Sequence, residues 1–237
     1  SFLEQIEFTG LSESKLRDFL SYFDINQLTN SLWQKLFQCF FIHFDKKVNR
    51  IEKNSHSIKR TSIDYDQYKT DRFGGIIHHL TDKCGGNVDS KGICKITSSS
   101  VFSNFVASNV ADFSNNVHFC SNIDVNSWIM IDFKERKIHP TFYSIRSYFG
   151  KDGNHLKSWV IEGSNTGNSD DWTFLDSRNN DSSLNSNLST NTFKVQNQIG
   201  QNEYFRYLSL RMTGPNWRGK YCLAISAIEF FGSIIYN

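Results

Sequence analysis

A chain of 237 residues with 38% hydrophobic content has room for one large all-β domain plus a small companion, or for two modest domains. Its 26 basic and 24 acidic residues are interspersed and leave a formal charge of +2, so no strong field favours nucleic acid or an anionic membrane. The longest apolar run, residues 36–44, is interrupted by Gln38 and His43, which argues against a transmembrane span.

Residues 1–45 read as helical. Leu11, Leu16, Phe19, Leu20 and Phe23 form an amphipathic stripe behind a candidate N-cap at Ser12. Leu28, Leu32, Leu36, Cys39 and Phe40 form a second stripe, widened by Trp33 and Phe37. Two such short helices must pack on something else to bury their faces. Residues 46–72 turn polar and read as a linker, with one short strand or turn near 58–65. From residue 73 the pattern changes to short apolar runs bounded by Gly, Asn, Asp and Ser, at 92–97, 127–133, 140–148, 157–163, 172–176, 191–195, 205–213 and 224–232. Many short strands without intervening helical repeats predict a mainly β sandwich or barrel over 73–237.

No constellation points to catalysis, so an enzyme is not expected. His78-His79 is adjacent, a spacing that points the rings apart on a strand, and no nucleophile elbow is present. Gly153, Gly163 and Gly167 lack the lysine and hydroxyl of a phosphate loop and read as turns. Asp170, Asp171, Asp176 and Asp181 fit no calcium-loop spacing and read as solvated turn acids. No metal and no cofactor is therefore called for. Five cysteines, Cys39, Cys84, Cys94, Cys120 and Cys222, form no CxxC pair. Cys84 and Cys94 are close enough in sequence to bridge. With no secretory signal in view, reduced thiols and a cytoplasmic location are expected.

The segments Ile96-Thr-Ser-Ser-Ser100, Trp128-Ile-Met-Ile-Asp-Phe133, Pro140-Thr-Phe-Tyr-Ser-Ile-Arg-Ser147, Trp172-Thr-Phe-Leu-Asp176, Arg206-Tyr-Leu-Ser-Leu-Arg211 and Ile228-Glu-Phe-Phe-Gly232 occur in that order, with 156–164 between them. Together they resemble the discoidin family, also called the coagulation factor five/eight type C domain, a galactose-binding-like jelly roll. Phe8-Thr-Gly-Leu-Ser-Glu13 and Leu32-Trp-Gln-Lys-Leu36 are similar, more weakly, to the end of a BACK domain, as in proteins that join BTB, BACK and discoidin domains. Secreted members of the family close the sandwich with a terminal cysteine, and none follows Phe231-Gly232-Ser233 here.

The resemblance implies a non-enzymatic binding module whose ligand loops lie at 101–109, 148–155 and 214–220. On them and beside them Phe102, Phe105, Tyr148, Phe149 and Trp217 offer aromatic anchors, and Arg146, His155, Asn216, Arg218 and Lys220 offer polar groups. Trp128, Asp132, Trp159 and Ile228 read as core and turn residues that hold the sandwich together. The leading expectation is an intracellular adaptor or structural component that docks a protein partner through these loops. The alternative is a glycan- or phospholipid-binding, lectin-like domain. Asp112, Asp152 and the near-zero net charge weigh against a membrane ligand.

Overall fold

The computed structural model describes residues 60–66, 71–197, 199–200 and 202–236, together with positions 21, 29, 31, 32 and 34–36. The chain divides into two compact units, Ser1–Ile58 and Lys59–Asn237. In the first, 31–32 and 34–36 are helical and Leu32 and Leu36 are buried, the i,i+4 spacing of the second expected stripe. The other stripe residues of 1–45, Trp33 and Phe37 included, lie outside the described residues.

The second unit is a sandwich of two antiparallel sheets. Sheet one joins β1 (Arg60–Ile63), β10 (Ala224–Tyr236), β5 (Arg136–Ser147) and β8 (Thr190–Lys194) in that order, and β3 (Phe119–Cys120) pairs with the start of β10. Sheet two runs β2 (Lys95–Ser98), β4 (Trp128–Asp132), β9 (Tyr207–Met212), β6 (Trp159–Ser164), β7 (Thr173–Arg178). The mainly β sandwich expected from the strand pattern is what forms. Arg60–Ile63, inside the segment read as linker, pairs with the far end of β10 and so extends sheet one. Residues alternate across sheet two: Ile129, Ile131, Leu210, Met212 and Ile161 face the core, while Trp128, Met130, Arg211 and Glu162 face outward.

Between the sheets, large aromatic side chains pack among the aliphatic ones. Trp159, Tyr143, Phe133 and Phe230 are fully buried, and Phe193 stacks on Tyr143 at 5.2 Å and meets Trp159 edge-on at 5.3 Å. Polar groups among them are linked in series: Tyr143 Oη donates to Asp176 Oδ2 at 2.5 Å, Trp159 Nε1 donates to Tyr143 Oη at 3.1 Å, and Arg178 Nε reaches Asp176 Oδ2 at 2.9 Å. Asp176 is thus a core residue, not the solvated turn acid expected.

His78 and His79 also differ from expectation, because Ile76–Cys84 is a helix, α1, packed on β10. Its start lacks a side-chain cap of its own. Gly75 precedes it, and a Cβ there would lie 2.5 Å from Glu229 Cγ. That closeness is what lets Glu229, from the middle of β10, cap the helix. Its carboxylate accepts from the backbone N–H groups of Ile77 (2.7 Å), His78 (2.9 Å) and Phe230 (2.8 Å). α1 and the 3-10 turn Ala107–Ala111 both pack against β10 of sheet one. No described helix is long and apolar enough to cross a membrane.

Burial pushes the Glu229 carboxyl up to about 8, against the downward pull of those backbone N–H groups. A raised value means that the folded state prefers the protonated form. The contribution is therefore complete below the ordinary carboxylate value of 4.5 and is lost as pH rises through about 8. Thermal unfolding followed against pH should show a falling melting temperature across that window, and Glu229→Gln should flatten it. Glu229→Ala leaves the N–H groups of Ile77, His78 and Phe230 without this acceptor and should cost about 3 kcal/mol in denaturant unfolding.

Candidate functional site

The loops after β2, β3, β5 and β9 meet at one end of the sandwich. Backbone bonds tie them together: Phe102 N–H donates to Cys120 O, Ser121 to Leu223 O, and Trp217 to His155 O. On this frame the aromatic rings run in a file. Phe102, 53% exposed, lies parallel to Phe105 at 6.3 Å; Phe105 stacks on His118 at 4.2 Å; His118 meets Phe149 edge-on at 4.8 Å and Tyr148 at 5.6 Å. Phe149 is 41% exposed, and Val101, Val106, Ile123 and Val125 add exposed apolar groups on the same loops.

The polar residues of this end divide by role. Asn216 is buried and holds the 216–220 turn, accepting from the Arg218 and Lys220 N–H groups and donating to Asn154 Oδ1 and Cys222 O. His155 is buried, its Nδ1 paired with Ser147 Oγ at 2.7 Å, and burial lowers its pKa. His118 is buried with Nδ1 unpartnered, and burial lowers its pKa as well. Arg218 and Asp152 form an exposed ion pair at 3.1 Å beside Asn154, and Lys220 is exposed. Trp217 is half-buried under Lys157, whose Nζ stands 4.8 Å from the ring centroid.

Two expected site residues are placed otherwise. Arg146 is buried, donating to Phe113 O and Ser114 O with its guanidinium over Phe73. Tyr148 is also buried, and serves as packing beneath the file. His118, which the sequence reading passed over, sits at the centre. A histidine immediately before a core phenylalanine was the only signal for it.

The described cysteines are free thiols. Cys84 Sγ donates to Gly86 O at 3.0 Å and does not bridge to Cys94, whose thiol burial pushes up to about 12. Cys120 and Cys222, beneath the loops, share a thiol hydrogen bond that raises the former and lowers the latter. Among the described residues no three His, Cys, Asp or Glu side chains converge to hold a metal.

A second concave feature lies on the outer face of sheet two, a groove of about 450 Å³. Trp128 and Met130 of β4 line one side, and Trp172 with the turn that carries Gly167 and Ser169 lines the other. Trp128 is therefore not core as expected: it shares a face with Met130, opposite Ile129 and Ile131, and is half-buried. At the groove's base Arg211 forms a two-pronged pair with Glu162, Nε to Oε2 at 3.1 Å and Nη2 to Oε1 at 2.7 Å, next to the buried Ser209.

The turn is held rigid from within. Asp171 Oδ2 accepts from Ser164 Oγ, Thr166 Oγ1 and the N–H groups of Asn165 and Thr166, all at 2.9–3.0 Å. Gly167 takes a positive φ of 75°, a conformation that favours glycine, and a Cβ there would lie 3.3 Å from the Tyr207 ring.

These loops and faces are carried on a rigid scaffold of two sheets. The F5/8 type C domain model matches residues 95–226, and the chain belongs to that family. Drosophila melanogaster E3 ubiquitin-protein ligase Ufd4 is 28% identical over 110 residues, which are 46% of this chain but only 4% of that protein. Among solved structures, the Clostridium perfringens module CpGH89CBM32-5, in complex with GalNAc-β-1,3-galactose, is similar at TM-score 0.48 and 14% identity, over 59% of this chain and 96% of its own. The family 32 carbohydrate-binding module of C. perfringens NanJ, in complex with galactose, gives 0.46 and 11%, over 62% and 95%. Chitosan-binding module 1 of a Paenibacillus chitosanase/glucanase gives 0.45 and 16%, over 59% and 96%.

The expectation of an adaptor that docks a protein partner is corrected accordingly. The solved modules that the sandwich resembles are carbohydrate-binding ones. The loop residues expected to grip a protein do not form one free surface either: Arg146, Tyr148, His155 and Asn216 are buried, and Arg218 is paired with Asp152.

Hydrogen bonds from Thr166 and Ser164 hold the Asp171 carboxyl down to about 2, with the Thr166 and Asn165 N–H groups adding to the effect. A lowered value means that the turn's support is complete above the ordinary 3.8 and is lost as pH falls through about 2. In an acid titration followed by NMR, the Asn165 and Thr166 amide signals should hold their positions while ordinary carboxylates titrate, and should move only near the Asp171 value. Asp171→Asn should broaden them at neutral pH.

Proposed function

We propose that the sandwich is a carbohydrate-binding module that receives a glycan at its loop end. The observation that carries this reading is the aromatic file itself: two exposed rings, Phe102 and Phe149, flank a buried imidazole with an unpartnered ring nitrogen, beside the Asp152–Arg218 pair and Asn154. A pyranose presents an apolar C–H face to an aromatic ring and a rim of hydroxyls to fixed polar groups. The low pKa values of His118 and His155 favour neutral rings, which suit hydroxyls better than phosphate or sulfate. The only arginine on these loops is already paired with Asp152.

Residues 1–45, with the weak BACK-like resemblance noted above, are proposed to be a helical companion joined through 46–59 to the module. Because the chain spans 4% of Ufd4, the activity of a larger protein around it is not inferred from that relative.

The test is retention on immobilised galactose and N-acetylgalactosamine, the sugars named for the similar modules. Phe102→Ala with Phe149→Ala should abolish retention without lowering the melting temperature by more than about 1 °C, since both rings are exposed. Unchanged retention by the double variant would overturn the loop-end assignment.

A further inference from the structure

We infer that the groove on the outer face of sheet two is a second saccharide site, for a short neutral oligosaccharide, independent of the loop end. Two indole side chains, Trp128 and Trp172, wall a groove whose base is a charge-compensated polar pair, Glu162 with Arg211. Its volume of about 450 Å³ lies within the range of small-molecule sites.

The chemistry of the lining selects among occupants. Glu162 and Arg211 satisfy each other head to head, so the groove offers no uncompensated charge for a phosphate, a sulfated chain or a cationic peptide. Both side chains keep part of their surface open, at 17% and 34%, which leaves carboxylate lone pairs and guanidinium N–H groups for vicinal hydroxyls. A bound peptide strand would need an open sheet edge, yet the groove lies over β4, β9 and β6, and β9 and β6 are paired on both sides. A lipid chain would need an apolar tunnel, whereas this base is Ser209, Glu162 and Arg211.

The wall is preorganised, which matters for ligands that gain little energy per atom. The Asp171 hydrogen bonds lock the 164–167 turn before any ligand arrives, so ordering it adds nothing to the cost of binding. The exposed ring of Phe174, opposite Glu162 in the β6–β7 pairing, extends the apolar rim along the direction in which a second sugar ring would project.

The experiment uses the full chain labelled with nitrogen-15 and titrated with lactose, cellobiose and chitobiose as probes. The indole N–H signals of Trp128 and Trp172 should move with at least one sugar. Trp172→Ala should weaken that titration about tenfold, and Trp172→Phe should recover part of the loss. The double variant Phe102→Ala, Phe149→Ala should leave the indole shifts intact. Shifts confined to the 101–109 and 148–155 amides, and lost in that double variant, would overturn the groove while leaving the loop end standing. Motionless indole signals with all three sugars, or an unaltered titration in Trp172→Ala, would overturn it as well.

Discussion

Asp176 has no solvent contact, lies where the two sheets face each other, and is held there by groups from both. Tyr143 belongs to sheet one, while Trp159, Asp176 and Arg178 belong to sheet two, so the chain of hydrogen bonds from indole to phenol to carboxylate to guanidinium ties the layers at one point. Dispersion between the sheets is tolerant of sliding; these bonds are not, because a shift by one residue would bury a carboxylate and an indole N–H without partners. Tyr143 lies in the second half of β5 and Trp159 opens β6, so residues 148–158 connect the two strands that meet in this cluster. That stretch carries Phe149, Asp152, Asn154 and His155 to the loop end. On the other side, β6 and β7 flank the turn that walls the sheet-two groove. Segments of both candidate sites therefore adjoin the strands that carry one buried polar cluster.

Three acid–base pairs of the described surface handle charge in the same way. Asp132 with Arg206, Glu162 with Arg211, and Asp152 with Arg218 are neighbours on separate strands or loops, each pair closed on itself. The near-neutral composition is thus not a mixture of opposed patches at these places but local compensation. A surface built this way discriminates by shape and by hydrogen-bond direction rather than by field strength. Neutral polyols suit such a surface.

Much of the sandwich was legible in the sequence because strand alternation is local. Ile129 and Ile131 against Trp128 and Met130, or Leu208 and Leu210 against Ser209 and Arg211, mark inside and outside without knowledge of any partner. The same alternation placed Trp128 outward, a signal outweighed by the habit of assigning tryptophan to cores. What escaped detection depends on distant residues. α1 has glycine where a capping side chain is usual, and its cap arrives from Glu229, 152 residues beyond Ile77. Arg146, His155 and Asn216 look like surface donors in the sequence, yet their partners are Phe113 O, Ser147 and the backbone of their own turn. For Arg146 the partner lies 33 residues away, and no local pattern records it.

β10 is central to sheet one, with β5 along one edge and β1 and β3 on the other, and it also supplies the cap of α1. It is the last strand in the order of the chain. During synthesis the earlier members of that sheet emerge with nothing between them, so β1 and β3 present open edges, β5 lacks its long partner, and α1 lacks its carboxylate. Closure must wait for residues 224–236 to clear the ribosome, after the other described strands have emerged. Such late, long-range closure makes for slow folding and a long interval in which an edge can pair wrongly. Substitutions in β10 should thus be felt in the yield of folded protein made in a cell before they are felt in the stability of the molecules that succeed.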